Sequence, residues 1–194
     1  MVRKIDQSNK LFKLALVPKE GVDIPINEKQ KLEKSGASDL ERTPKIFRND
    51  LGERGFYDTR NSLNDLTGKE WKFMSKSVIT RSYPPDFQHQ LRKQHGGQKP
   101  PLLCADLIKT FTKKGEMVLD PLMGVGGTLL GAALCGRKAI GIEINKRWID
   151  IYKQVCELED LEVFKTFQDD CKNVLKKASS NSIDFILTDV PYWN

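Results

Sequence analysis

Met117-Val118-Leu119-Asp120-Pro121-Leu122-Met123-Gly124-Val125-Gly126-Gly127-Thr128 joins an apolar run, a carboxylate and a glycine cluster in twelve residues. Met117 to Asp120 has the look of a short buried strand. Gly124 to Gly127 reads as a loop, and Thr128 to Cys135 as a small-residue helix closed by Gly136. Strand, glycine loop and helix form the first turn of a nucleotide-binding α/β fold: glycines let the backbone pass close to a ligand, and a helix start offers unpaired N–H groups. Three ligands compete for such a turn. A phosphate loop requires Gly-Lys-Ser/Thr, and no lysine follows Gly127. A dinucleotide fingerprint requires Gly or Ala three residues after its second glycine, where Leu129 stands. An S-adenosylmethionine site places a carboxylate at the strand end before the glycines, and Asp120 is so placed.

Outward from this turn, the elements alternate. Leu102, Leu103, Leu107, Ile108 and Phe111 fall at helical spacing, and Lys113-Lys114-Gly115 ends that helix. After the glycine helix come a strand over Ala139 to Ile144, a helix over Arg147 to Glu157 and a strand over Leu161 to Phe167. A helix over Cys171 to Ala178 and a strand over Ile183 to Thr188 follow. This alternation predicts a Rossmann-like α/β fold, a parallel sheet with helices on both faces. Glu143, at the end of the second strand and 19 residues after Gly124, is expected to accept hydrogen bonds from ribose hydroxyls. That feature suits dinucleotides and S-adenosylmethionine alike. The fourth strand separates them. It ends Thr188-Asp189-Val190-Pro191-Tyr192-Trp193-Asn194, a carboxylate, a proline and aromatics at the end of an open sheet where ligands bind. A carboxylate and a neighbouring carbonyl can accept hydrogen bonds from an exocyclic amine while a ring stacks on the base. No covalent intermediate is needed.

These residues resemble the amino-methyltransferases of DNA, which methylate adenine N6 or cytosine N4. Asp120 to Thr128 resembles the family's DPFxGxGTT cofactor loop, with Leu122 in place of Phe and Gly127 in place of Thr. Gly141-Ile142-Glu143 resembles its ribose-binding acid, and Asp170 with Cys171 its third motif. Asp189-Val190-Pro191-Tyr192 resembles its catalytic (D/N/S)PPY, with Val190 in place of the first proline. His95-Gly96-Gly97-Gln98-Lys99-Pro100 resembles an HPxxKP segment that leads into a cofactor-contacting helix. Asn64 to Trp71 resembles a segment found ahead of that helix. The resemblance implies methyl transfer from S-adenosylmethionine to a DNA base flipped out of the duplex, adenine N6 ahead of cytosine N4. By it, Asp189, Val190, Pro191 and Tyr192 are the catalytic residues. Lys99, Pro100, Asp120, Pro121, Leu122, Gly124, Gly126, Thr128, Glu143 and Asp170 hold the cofactor. No metal is expected, since neither His89 nor His95 has partners at ligand spacing.

The 194 residues divide by texture and by charge. Residues 1–60 carry net +3 and read as a partly ordered arm, in which only Lys10 to Val17 and Ile24 to Leu32 suggest local order. Residues 61–99 form a basic aromatic connector, in which Trp71, Phe73, Tyr83 and Phe87 lie among lysines and arginines. Such a mixture can stack bases and grip phosphates, or anchor the segment on a domain, and packing is the reading preferred for Trp71 and Phe73. Residues 100–194 hold the methyltransferase core. The basic front half suits a polyanionic partner, nucleic acid first, or simply a solvated basic surface, and charge alone does not choose between them. Cys104, Cys135, Cys156 and Cys171 form no CxxC pair, and no run approaches the ~20 apolar residues of a membrane helix. The chain is expected to be cytoplasmic, of prokaryotic or phage origin. Because the catalytic motif sits at its last residues, it is expected to be an N-terminal part of a larger enzyme. The alternatives are a non-catalytic subunit completed by a second polypeptide, or a methyltransferase acting on RNA or a protein amide.

Overall fold

The computed structural model describes residues 47–190. The stretches Lys10 to Val17 and Ile24 to Leu32, and the residues Pro191, Tyr192 and Trp193, lie outside these described residues. Four parallel strands make the central sheet: β3 (Met117–Asp120), β4 (Lys138–Glu143), β5 (Lys165–Gln168) and β6 (Phe185–Ile186), in the order β5-β4-β3-β6. The chain therefore leaves β3 in one direction for two strands and then returns to its other side. The split between β3 and β6 is the topological switch point, where an open parallel sheet leaves a crevice at its carboxyl ends.

Both faces of this sheet are covered, which is why its strands read as apolar runs. Alternate residues of each strand point to opposite faces. Val118 and Ala139 join Cys104 and Ile108 of α3 (Pro101–Phe111), Leu129 and Leu130 of α4 (Gly127–Leu134), and Tyr152 and Val155 of α5 (Lys146–Leu158). Leu119, Ile140 and Ile142 pack on the other face with Val174 of α6 (Cys171–Leu175). Burial of each large apolar side chain contributes about 1.5–3 kcal/mol.

Three differences from the sequence reading have local causes. Residues 48–58, expected to lack regular structure, form an antiparallel hairpin of β1 (Arg48–Asp50) and β2 (Phe56–Asp58). Its turn is built by Asp50 Oδ1, which accepts the Gly52 N–H at 2.9 Å, and by the Gly55 N–H on the Gly52 carbonyl. The third core strand begins at Lys165 rather than Leu161, because the Phe164 N–H is taken by the Tyr152 hydroxyl at 2.9 Å and the ladder with β4 starts one residue later. The fourth pairs only over Phe185–Ile186.

Residues 61–99 run along the outside of α3. Asn64 is buried and donates through Nδ2 to the Thr110 carbonyl at 2.7 Å. Asp65 accepts from the Lys114 N–H and from buried Arg137, whose guanidinium also donates to the Thr112 carbonyl at 2.8 Å. These contacts lie where β3 and β4 begin. Thr67 and Glu70 then form a capping box for α1 (Gly68–Met74). Trp71 and Phe73 are 40% and 60% exposed. Neither anchors the segment among the described residues, contrary to the packing expectation. Trp71 borders a hollow beside the hairpin, and Phe73 one against α3. At the far end, α2 (His89–Arg92) and the 3-10 turn Lys93–His95 reach the carboxyl edge of the sheet. No helix among the described residues is long and apolar enough to cross a membrane.

Candidate functional site

A cavity of about 580 Å³ opens at the carboxyl ends of the strands. Its floor is the turn after β3. Asp120 is wholly buried: Oδ2 accepts from Lys99 Nζ at 2.9 Å, and Oδ1 from the Leu122 N–H at 3.2 Å. Its charge is thus spent on the turn and on Lys99, behind the cavity wall. Gly126 takes φ +77°, and a Cβ there would run into the Tyr152 ring. A Cβ at Gly127 would stand 2.5 Å from the Lys99 carbonyl oxygen, so the helix start and the incoming segment touch backbone to backbone. Thr128 is buried and donates to the Leu187 carbonyl at 3.2 Å, tying α4 to the strand that carries Asp189.

Glu143, at the end of β4, grips the loop. Its Oε2 accepts the Gly124 N–H at 2.9 Å and its Oε1 the Asn145 N–H at 2.8 Å. Each carboxylate oxygen keeps a second lone pair for a ligand hydroxyl. Asp170 is the N-cap of α6, accepting from the Lys172 N–H at 2.8 Å. Neighbouring Asp169 accepts from Asn173 Nδ2 at 3.1 Å and from the Asp170 N–H at 2.7 Å, and these bonds hold its carboxyl below the usual range.

Of the expected cofactor residues, Lys99, Pro121, Leu122, Gly124, Glu143 and Asp170 border the cavity together. Pro100, Asp120, Gly126 and Thr128 do not, and shape it from behind. Asp189 and Val190 border it from the β6 side, both exposed. Pro191 and Tyr192 lie outside the described residues. Sequence reasoning missed Asp169 and Gln98 in the wall and Arg92 behind it. Asp169 stands beside an expected acid and could have been found. Gln98 lies inside the His95–Pro100 segment but draws no role of its own from it, and Arg92 carries no motif signal. His95, the first residue of that His95–Pro100 segment, is in the wall; its ring meets Trp148 edge-on at 5.0 Å. His95 Nδ1 and Gln98 Oε1 are buried without a hydrogen-bond partner among the described residues. Cys104 and Cys156 are buried in the core, and burial pushes both thiols up, Cys104 to about 11, so neither is a thiolate nucleophile.

A family model described as DNA methylase matches residues 17–154, well over half of the chain, and the protein belongs to that family. The matched span holds the glycine loop and Glu143 and ends before Asp189. Among curated relatives, the type II methyltransferase M2.DpnII of Streptococcus pneumoniae is 32% identical over 115 residues, 58% of this chain and 40% of that protein. The type II methyltransferase M.HpaI of Haemophilus parainfluenzae is 37% identical over 102 residues, 50% of this chain and 30% of that protein. A tRNA (guanine(10)-N2)-dimethyltransferase of Methanocaldococcus jannaschii is 34% identical over 121 residues, 58% of this chain and 34% of that protein. The chain thus spans less than half the length of these relatives.

Proposed function

We propose that the protein transfers a methyl group from S-adenosylmethionine to the exocyclic amine of a base in DNA, adenine N6 ahead of cytosine N4. The observation that carries this is the meeting of Glu143, at the end of β4, and Asp189, in the segment that follows β6, in one cavity across the switch point. A carboxylate suited to ribose hydroxyls and one suited to an amine stand on either side of the glycine loop.

The donor set fits this cofactor. Glu143 would accept the ribose hydroxyls and Asp170 would stand near the adenine. Lys99, Pro121, Leu122 and Gly124 would line its bed, with Pro100, Asp120, Gly126 and Thr128 fixing the shape. The partnerless His95 Nδ1 and Gln98 Oε1 suit a ligand with polar groups of its own. When bound, the cofactor supplies an electrophilic methyl on a sulfonium. The chain's part is to present the amine. Asp189 and the Val190 carbonyl would accept its two N–H bonds, which turns its lone pair out of ring conjugation. Asp189 faces solvent, so the proton released on transfer has a path to water. Pro191 and Tyr192 complete the motif, Tyr192 as the ring that stacks on the extruded base.

The test is calorimetric titration of the full chain with S-adenosylmethionine, followed by transfer of radiolabelled methyl to mixed DNA by wild type and Asp189→Ala. No heat of binding at millimolar ligand defeats the cofactor assignment, and equal labelling by both proteins defeats the catalytic one. The tRNA-modifying relative favours a second reading, in which the amine belongs to an RNA base, since guanine N2 is likewise exocyclic. Labelling of tRNA in preference to DNA would establish it.

A further inference from the structure

Arg92 has no place in the proposed chemistry, yet among the described residues it is the largest side chain buried almost completely, at 1% exposure. It ends α2, three residues before the cavity wall begins at His95. No carboxylate pairs with it among the described residues. Its Nη2 donates to the Lys99 carbonyl, and its Nε–H is buried without a partner. Burial pushes the guanidinium down to about 10, so it is still a cation at neutral pH. A buried charge facing one neutral acceptor is an expensive arrangement, which an apolar residue of similar volume would relieve.

The acceptor explains the expense. Lys99 is held from three sides. Its ammonium pairs with Asp120 at the floor. Its carbonyl oxygen lies against the bare Cα of Gly127 at the start of α4. The same oxygen accepts from Arg92. The segment from His95 to Lys99, which is one wall of the cavity, is tied to α5 as well: Arg147 Nη2 donates to Gln94 Oε1 at 2.7 Å, and His95 rests on Trp148. Those two ties hold its leading end, and further on Gln98 Nε2 meets His89 Nδ1 at 3.2 Å while the His95 ring lies against Gly124. Among the described residues, Arg92 is the side chain that holds the Lys99 carbonyl itself, where the wall meets Gly127.

We propose that Arg92 is a positioning residue of the cofactor cavity, which sets the gap between the His95–Lys99 wall and the glycine loop by clamping the Lys99 carbonyl against Gly127. The inference rests on the cofactor reading given above for its consequence, and on the clamp alone for its mechanism. The experiment compares Arg92→Met, which keeps the volume and drops the donors, with Arg92→Lys, which keeps a cation able to reach the carbonyl. Three measurements are made on the full chain: thermal midpoint without ligand, amide hydrogen exchange without ligand, and affinity for S-adenosylmethionine by calorimetry. Arg92→Met is expected to keep or raise the midpoint, since the unpaired charge is gone. Its exchange is expected to rise about tenfold over residues 95–101 and 124–130 and nowhere else. Its affinity is expected to fall about tenfold or more, with Arg92→Lys within about threefold of wild type. A purely structural role would move the midpoint and the exchange of the whole core together. Such a result, or unchanged local exchange in Arg92→Met, overturns the proposal. If wild type binds no S-adenosylmethionine, the cofactor reading fails, and the exchange pattern still decides the clamp.

Discussion

Replacing Gly126 by alanine tests the packing of the glycine loop directly. Gly126 adopts φ +77°, a region in which a Cβ costs about 1–2 kcal/mol. The new methyl would also enter the space of the Tyr152 ring. That ring is 0% exposed, and its hydroxyl accepts the Phe164 N–H at 2.9 Å, so it is held at both ends and cannot swing aside. Overpacking of this kind costs about 1–3 kcal/mol. The two effects together give about 2–5 kcal/mol, out of a total of about 5–15 for a domain. At about 2–4 °C per kcal/mol for a chain of this size, the midpoint falls by about 4–20 °C. Gly52→Ala supplies the control: φ is +64°, with nothing within 4 Å of an added Cβ, so it bears the backbone cost alone. Tyr152→Leu supplies the second control, because removing ring atoms makes room for the methyl. In that background Gly126→Ala should cost only about 1–2 kcal/mol more, so the two changes are strongly non-additive. Thermal and urea unfolding of the four variants and wild type measure all of this. If Gly126→Ala costs no more than Gly52→Ala, or the same in both Tyr152 backgrounds, the steric account is wrong.

Lys99→Met should destabilise the chain by about 3–5 kcal/mol, because it leaves the wholly buried Asp120 charged and unpaired. Adding Asp120→Asn should recover part of that loss in urea unfolding, and a further loss instead would refute the pairing. Glu70 is pushed up by partial burial but more strongly down by its bonds to Arg54 and Thr67, so its folded value lies below the ordinary 4.5. Its contribution is therefore whole above pH 4.5 and is lost as pH falls through the lower folded value. Glu70→Gln should flatten that acid limb in pH-dependent melts, and an unchanged limb would show that the capping box does not titrate. Cys171 borders the cavity while Cys104 and Cys156 are buried, so iodoacetamide should label Cys171 well before those two. Mass spectrometry should show that S-adenosylmethionine slows this labelling, and no protection would separate the ligand from this wall.

The parallel sheet was legible because its strands are buried on both faces and read as short apolar runs, and because Gly126 and Gly127 stand where neither loop nor helix start tolerates a Cβ. The hairpin over residues 48–58 was not legible. All of Arg48, Asn49 and Asp50 are exposed, so no alternation marks the strand, and the turn is made by one Asp side chain and two glycines. The start of β5 was hidden for a different reason. Leu161 to Phe164 is as apolar as a strand, and only a contact from Tyr152, on another element, withholds the Phe164 N–H from the ladder. In the site, Glu143 was legible by its spacing from Gly124 and does bond its N–H. The burial of Asp120 was not legible, because a strand-end acid before glycines looks the same whether it faces a ligand or a lysine. The lysine that claims it lies 21 residues upstream. Arg92 gave no signal at all: it belongs to no motif, and its importance appears only when the Lys99 carbonyl is seen against Gly127.

The two halves of the cavity differ in how firmly they are built, and the difference matches their proposed tasks. On the cofactor side, every charged group near the loop is engaged. Glu143 holds two N–H groups, Asp120 holds Lys99, and Arg92 holds the Lys99 backbone. A small ligand that must be oriented to a fraction of an ångström needs walls fixed in this way before it arrives. On the transfer side, β6 pairs over two residues, and Asp189 and Val190 stand exposed beyond it, Val190 at 67%. A flat base carried on a polymer cannot enter a closed cavity, so the group that receives its amine has to sit at an open rim. The basic, aromatic stretch around Trp71 and Phe73 borders neither half. It belongs with residues 64–65, which are fixed where β3 and β4 begin, at the opposite end of the sheet from Asp189. Phosphates gripped there would not lie beside the base presented to Asp189. On the proposed reading, the described residues that could select the base are those around the rim itself, where Asp189 would offer an acceptor and His95 to Lys99 line the same cavity.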